Sequence, residues 1–197
     1  ATLTRPAPAH VRPSVRLRDL VIALDPALDG SFDDAALATL REQAGIDPSR
    51  ATVLFTATWD KSGVSALNRW SDRLSELTDD YNVLVTVHPW TTQPFIDAID
   101  AAPGVFRIKS PDVAGWILLA DVCIGDSSSI LAECCALDKP LITFKLAPHK
   151  RLVAETMDII QSMSKQIDEF DELPAALAEV LAHPDALAKP RKAAQTL

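Results

Sequence analysis

The chain reads as an α/β protein, a Rossmann-like parallel sheet with helices on both faces. Two observations predict this. Apolar runs recur at residues 52–56 (TVLFT), 83–87 (VLVTV) and 141–144 (LITF), and they are continuous, as in strands buried on both faces. Stretches with helical spacing of apolar residues separate them. Composition agrees: the chain has 197 residues, 48% hydrophobic and 23% charged, enough to bury one core. A net charge of −8 argues against nucleic acid as a partner. No apolar run reaches bilayer length, and no secretory signal is visible. Cys123, Cys134 and Cys135 sit in apolar segments without metal-ligand spacing. They read as reduced, buried thiols, which points to a cytoplasmic protein.

The elements follow in order. Residues 1–18 carry Pro6, Pro8 and Pro13 with several basic residues and read as a linker or tail, leaving 19–197 as one domain. Residues 19–24 (DLVIAL) read as a first strand or a remnant of one. A helix starts at Ser31-Phe32-Asp33 and ends at Gly45. After the strand at 52–56, Ser62 is placed to cap a helix running to about residue 77. The strand at 83–87 ends in His88-Pro89-Trp90. Pro94 opens a helix to about residue 101, 105–108 is a third strand, and 113–120 a short helix. Asp121 begins the central strand, a helix runs through 137, and Lys139-Pro140 leads into 141–144. The remainder reads as helical, clearest at 172–181 and 185–195.

The stretch from Asp121 to Glu133 (DVCIGDSSSILAE) concentrates the chemistry. It reads as strand, polar turn, then helix. A helix start offers free N–H groups to an anion, and Ser127, Ser128 and Ser129 add hydroxyl donors. The competing reading is that the serines only cap the helix. Asp126 is read as an acceptor for the turn's own backbone, and Glu133 as an acceptor for ribose hydroxyls. In parallel sheets, ligands bind outside the carboxyl ends of the strands. That rule gathers Thr58 and Trp59, His88, the serine turn, and Lys145, His149, Lys150 and Arg151 on one rim. His88 there is suited to a phosphate contact or to acid–base work. Trp59 is either a lid over the core or a stacking surface for a base. Lys145 to Arg151 is either a solvated loop or the local positive charge for an anionic ligand. Trp70, Trp90 and Trp116 are assigned to packing.

Three pieces together resemble the CDP-glycerol glycerophosphotransferase family of teichoic-acid and capsule polymerases. They are Ala57-Thr58-Trp59 after a strand, Val87-His88-Pro89 ending one, and Asp126-Ser127-Ser128-Ser129 followed by Glu133 and Lys139-Pro140. The resemblance implies the C-terminal half of a two-domain GT-B fold. It implies a CDP-glycerol or related nucleotide donor, with His88 at its diphosphate and assisting cleavage. The serine turn would hold the phosphates, and Glu133 would reach the ribose or glycerol. The implied reaction passes a polyol phosphate to an acceptor hydroxyl on a polymer, in cell-wall or capsule synthesis. No tightly bound cofactor is implied, though a diphosphate can bring Mg²⁺. The implied place is the cytoplasm, with peripheral contact at the inner face of the membrane.

Some residues depart from the family pattern. Ser127 stands where a tyrosine or similar residue is usual, Glu133 where many members have Asp, and Asp60-Lys61 where a basic residue often follows Thr-Trp. These departures leave open a UDP-sugar glycosyltransferase, a UDP-N-acetylglucosamine 2-epimerase-like enzyme, or a nucleotide-binding module without catalysis. The chain has no room for both GT-B halves, so the N-terminal half would be a partner, and the isolated domain is expected to be inactive.

Overall fold

A computed structural model describes residues 32–150 and 154–194. The expected tail at 1–18, the strand at 19–24, Ser31 and Arg151 lie outside the described residues. The first described helix is α1 (Asp34–Ala44), capped by the Asp33 side chain and closed by Gly45 at φ 62°. Six strands follow: β1 (Ala51–Ala57), β2 (Tyr81–Val87), β3 (Val105–Arg107), β4 (Val122–Gly125), β5 (Leu141–Phe144) and β6 (Ser164–Ile167). Between and after them lie α2 (Leu67–Trp70), α3 (Gln93–Ala101), α4 (Ala114–Leu119), α5 (Ile130–Ala136), α6 (Ala154–Met163), α7 (Leu173–Ala182) and α8 (Ala188–Ala194).

The strands form one sheet in the order β3-β2-β1-β4-β5-β6, every pair parallel. Successive side chains of a strand point to opposite faces, and here both faces are covered. Val53, Phe55, Val83, Val85 and Ile124 pack with Trp70, Leu74, Ile99 and Leu177 on one side. Leu54, Leu84, Cys123 and Leu141 pack with Trp116, Ile117, Leu131, Cys134 and Met163 on the other. Double burial is why these strands are apolar throughout. All three cysteines are buried free thiols.

Two expectations are corrected. Residues 62–77 are not one helix. They form a 3-10 turn at Asp60–Ser62, the single α turn of α2, and a second 3-10 turn at Leu74–Leu77. Gly63 interrupts at φ 80°, and the Ala66 amide is drawn to Asp126 in place of a helical carbonyl. The Ser62 hydroxyl accepts from Val64 and caps no long helix. The region after residue 144 also holds a strand, β6, which pairs with β5 at the sheet edge. Its sequence, SKQI, leaves the two central residues partly exposed, so no continuous apolar run marks it.

Candidate functional site

Strand order reverses direction between β1 and β4, which is where a parallel sheet opens a crevice beyond its carboxyl ends. The close approach of these strands depends on Gly125. A Cβ there would lie 2.9 Å from Thr56 Cγ2 and 3.0 Å from Leu131 Cδ2. Immediately beyond, the fully buried Asp126 carboxylate ties the two loops together. It accepts from the amides of Thr58 (3.0 Å) and Ala66 (2.8 Å) in the loop after β1, and from Ser127 and Ser128 in its own turn. Burial pushes this carboxyl above the ordinary aspartate range, and the four amides act against that push. Asp126 is thus the acceptor for the turn's backbone that the sequence suggested, and it also reaches across to a second loop.

The three serines divide their work. Ser127 donates its hydroxyl to the Val64 carbonyl (3.0 Å). Ser128 is buried, and its Oγ accepts from the Thr56 hydroxyl (3.0 Å). Ser129 stands at the start of α5, exposed, with no side-chain cap on the helix. Helix capping therefore does not account for it. Because α5 is only seven residues long, the helix end contributes little by its dipole, and hydroxyls and cations matter more.

A cavity of about 440 Å³ opens on this rim, lined among others by Thr86, His88, Arg107, Lys109, Ser128 and Ser129. Half-buried His88 accepts the Trp90 amide at Nδ1 (3.1 Å), so the neutral ring carries its proton on Nε2. The Trp90 ring lies edge-on to His88 (centroids 5.3 Å) and to Trp59 (5.5 Å), while remaining 69% exposed. Trp90 is therefore a rim residue, which corrects its assignment to packing. Trp70 and Trp116 are buried as expected.

Arg107 and Lys109 were not singled out in the sequence. Arg107 ends β3 and Lys109 lies just beyond it, so the strand-end rule applied to that strand points to both. Arg107 is bound by both nitrogens to Asp100 (2.6 and 2.7 Å), and that pairing holds the Asp100 carboxyl below its usual range. Exposed Lys109 has no ion-pair partner among the described residues, so it is the cation at hand for a ligand. A second hollow of about 410 Å³ adjoins through Arg107, Lys109 and Ser110 and includes Phe106, Trp116 and Gln43 in its walls.

Other expected site residues lie apart from the cavity. Lys145, at the end of β5, is paired with Asp168 (2.6 Å). The His149 ring packs against Gly63, within 3.0 Å of where a Cβ would stand. Thr58 contributes its backbone, donating to Asp126 and accepting from the Ser65 hydroxyl (2.8 Å). Glu133 lies one turn along α5 from Ser129, outside the cavity lining. Its carboxyl is raised by burial and by the nearby Asp112 charge. Lys139 of the Lys-Pro pair donates to the Leu118 and Ala120 carbonyls (2.9 and 2.8 Å), holding the end of α4. Among the described residues, no three His, Cys, Asp or Glu side chains cluster as a metal site, and no helix is long and apolar enough to cross a membrane.

The six-stranded parallel sheet with helices around it is a GT-B-type fold, and the solved structures it resembles agree. A glycosyltransferase from Rickettsia africae is 15% identical with a TM-score of 0.62, over 89% of this chain and 49% of that one. The wall teichoic acid polymerase TagF, as its H548A variant, is 17% identical with a TM-score of 0.55, over 87% of this chain and 43% of that one. The C-terminal CMP-Kdo binding domain of WaaA from Acinetobacter baumannii is 15% identical with a TM-score of 0.53, over 82% of this chain and 95% of that domain. The chain thus spans about half the length of the Rickettsia glycosyltransferase and TagF chains it matches. No curated protein matches it in sequence. The model of CDP-glycerol:poly(glycerophosphate) glycerophosphotransferases matches residues 24–193, and the chain belongs to that family.

Proposed function

We propose that this chain is the donor-binding half of a glycerophosphotransferase-like enzyme. One observation carries the reading: the cavity at the β1/β4 switch point brings together a donor-ready His88, the open cation of Lys109, and the Ser129 hydroxyl. A diphosphate needs hydrogen-bond donors and positive charge, and this rim has both. The nucleoside would extend into the adjoining hollow beside Phe106. Mg²⁺ would enter as the diphosphate's own counter-ion. In the step proposed, an acceptor hydroxyl attacks the distal phosphorus of a CDP-linked polyol phosphate and gives up its proton. The bond from that phosphorus to the bridging oxygen breaks, and CMP leaves with that oxygen. His88 Nε2–H donates a hydrogen bond to the oxygens gaining charge. The acceptor side would come from a second unit, in keeping with the chain's span of half the matched transferases.

Calorimetric titration with CDP-glycerol, CDP, CMP, UDP and UDP-N-acetylglucosamine tests this. Cytidine ligands are expected to bind, and a Lys109→Gln, Ser129→Ala double variant to weaken them by roughly 10- to 100-fold, as for the loss of one charged and one neutral hydrogen bond. Preference for uridine ligands would move the donor to the sugar nucleotides. Failure of every nucleotide to bind the folded chain would sink the donor assignment.

A further inference from the structure

Asp60 follows Thr58-Trp59 in the loop after β1, and its contacts explain what a carboxylate does there. Asp60 Oδ1 accepts the Thr92 amide and Oδ2 accepts the Thr92 hydroxyl, both at 2.9 Å. Thr92 begins α3 without capping it, because its hydroxyl is committed to Asp60. Thr92 directly follows the turn that starts at His88 and closes at Thr91. Within that turn the Thr91 amide binds the His88 carbonyl (2.9 Å), and the Trp90 amide binds His88 Nδ1 (3.1 Å). On the same side, Trp59, the residue before Asp60, meets the Trp90 ring, which in turn meets His88. The loops after β1 and β2 are therefore joined twice, once by a carboxylate and once through rings.

We propose that Asp60 is a positioning residue for His88. It fixes the 88–91 turn by anchoring Thr92, the residue that follows it, and the Trp90 amide in that turn then holds Nδ1 and leaves Nε2–H for the donor. This rests on reading His88 as a contact of the donor diphosphate, so the test has one arm that needs no nucleotide.

In that arm, hydrogen exchange at the Trp90 amide and the His88 ring nitrogen shifts are followed in Asp60→Ala, Asp60→Asn and Thr92→Val. Asp60→Ala is expected to speed Trp90 exchange by roughly tenfold or more and to move the Nδ1 signal, while the Cys123 amide in the sheet is unchanged. Asp60→Asn, which keeps one acceptor, should lie between, as should Thr92→Val. Unchanged Trp90 and His88 signals in folded Asp60→Ala would overturn the proposal. So would equal acceleration at Cys123, which would make Asp60 a general stabiliser of the fold.

The second arm is a double-mutant cycle on CDP affinity. Asp60→Ala should weaken binding by about three- to tenfold alone and by almost nothing when His88 is already alanine. An equal loss in both backgrounds would show that Asp60 acts independently of His88. If CDP fails to bind the unmodified chain, the donor reading falls, and the exchange arm still decides whether Asp60 positions the ring.

Discussion

At the scale of single residues, Asp126 is a fully buried acid and Glu133 a half-buried one, and they differ in how their charge is met. Asp126 has four backbone amides arranged around two oxygens. Asparagine has one acceptor oxygen and would turn an NH₂ toward either Ala66 or the Thr58 side. Asp126→Asn should therefore cost about 1–3 kcal/mol, read as a lower midpoint in urea unfolding, and an unchanged midpoint would contradict the clamp. The Glu133 carboxylate has no hydrogen-bond partner among the described residues, and burial and the Asp112 charge raise its pKa above the ordinary glutamate range. An acid raised in the folded state stabilises the fold below its unfolded pKa, and that stability is lost as pH rises through the folded value. Glu133→Gln removes this dependence. Its thermal midpoint should match the parent below about pH 4 and exceed it increasingly toward pH 7. A variant that is less stable at pH 7 would mean Glu133 is held by a favourable partner. The serine turn and His88 were legible because their residue types are unusual at strand ends. Lys109 was not, because Val105-Phe106-Arg107 is a three-residue, half-buried strand at the sheet edge, with no long apolar run to mark its end.

At the scale of elements, the strands that read clearly are those buried on both faces. β1, β2 and β5 are continuous apolar runs, and their predicted cores match the structure within two residues. β6 was missed because an edge strand needs only its end residues, Ser164 and Ile167, inside. The segment 62–77 was misread because its helical spacing is real, yet its amides serve Asp126 and its Gly63 sits in the left-handed region. Local pattern cannot report a partner 60 residues away in the chain. The joint between β1 and β4 is where element packing and site meet. Gly125→Ala would force a methyl between Thr56 and Leu131, so a loss of about 1–3 kcal/mol is expected, together with weaker nucleotide binding as the crevice is pushed open. A variant with parental stability would show that the strands can separate at no cost.

At the scale of the whole molecule, the proposed function asks an acidic chain to hold an anion. The net charge is −8 and the sequence pI about 4.9, so the long-range field repels a nucleotide diphosphate. Under the proposed reading the attraction is local: Lys109, hydroxyls and the His88 ring would act at contact distance, while Arg107 is already paired with Asp100. Salt treats these differently. Charges farther apart than about 10 Å are screened at about 0.1 M, and groups in contact much less. Between about 20 and 300 mM NaCl, CDP affinity should therefore change by less than about threefold, because relief of repulsion offsets the weakened contact with Lys109. In Lys109→Gln only the repulsion remains, and affinity should rise with salt. A steep loss of parental affinity over the same range would instead require an extended basic surface around the cavity. The binding energy would then come from several cations and not from the few donors gathered where β1 and β4 part.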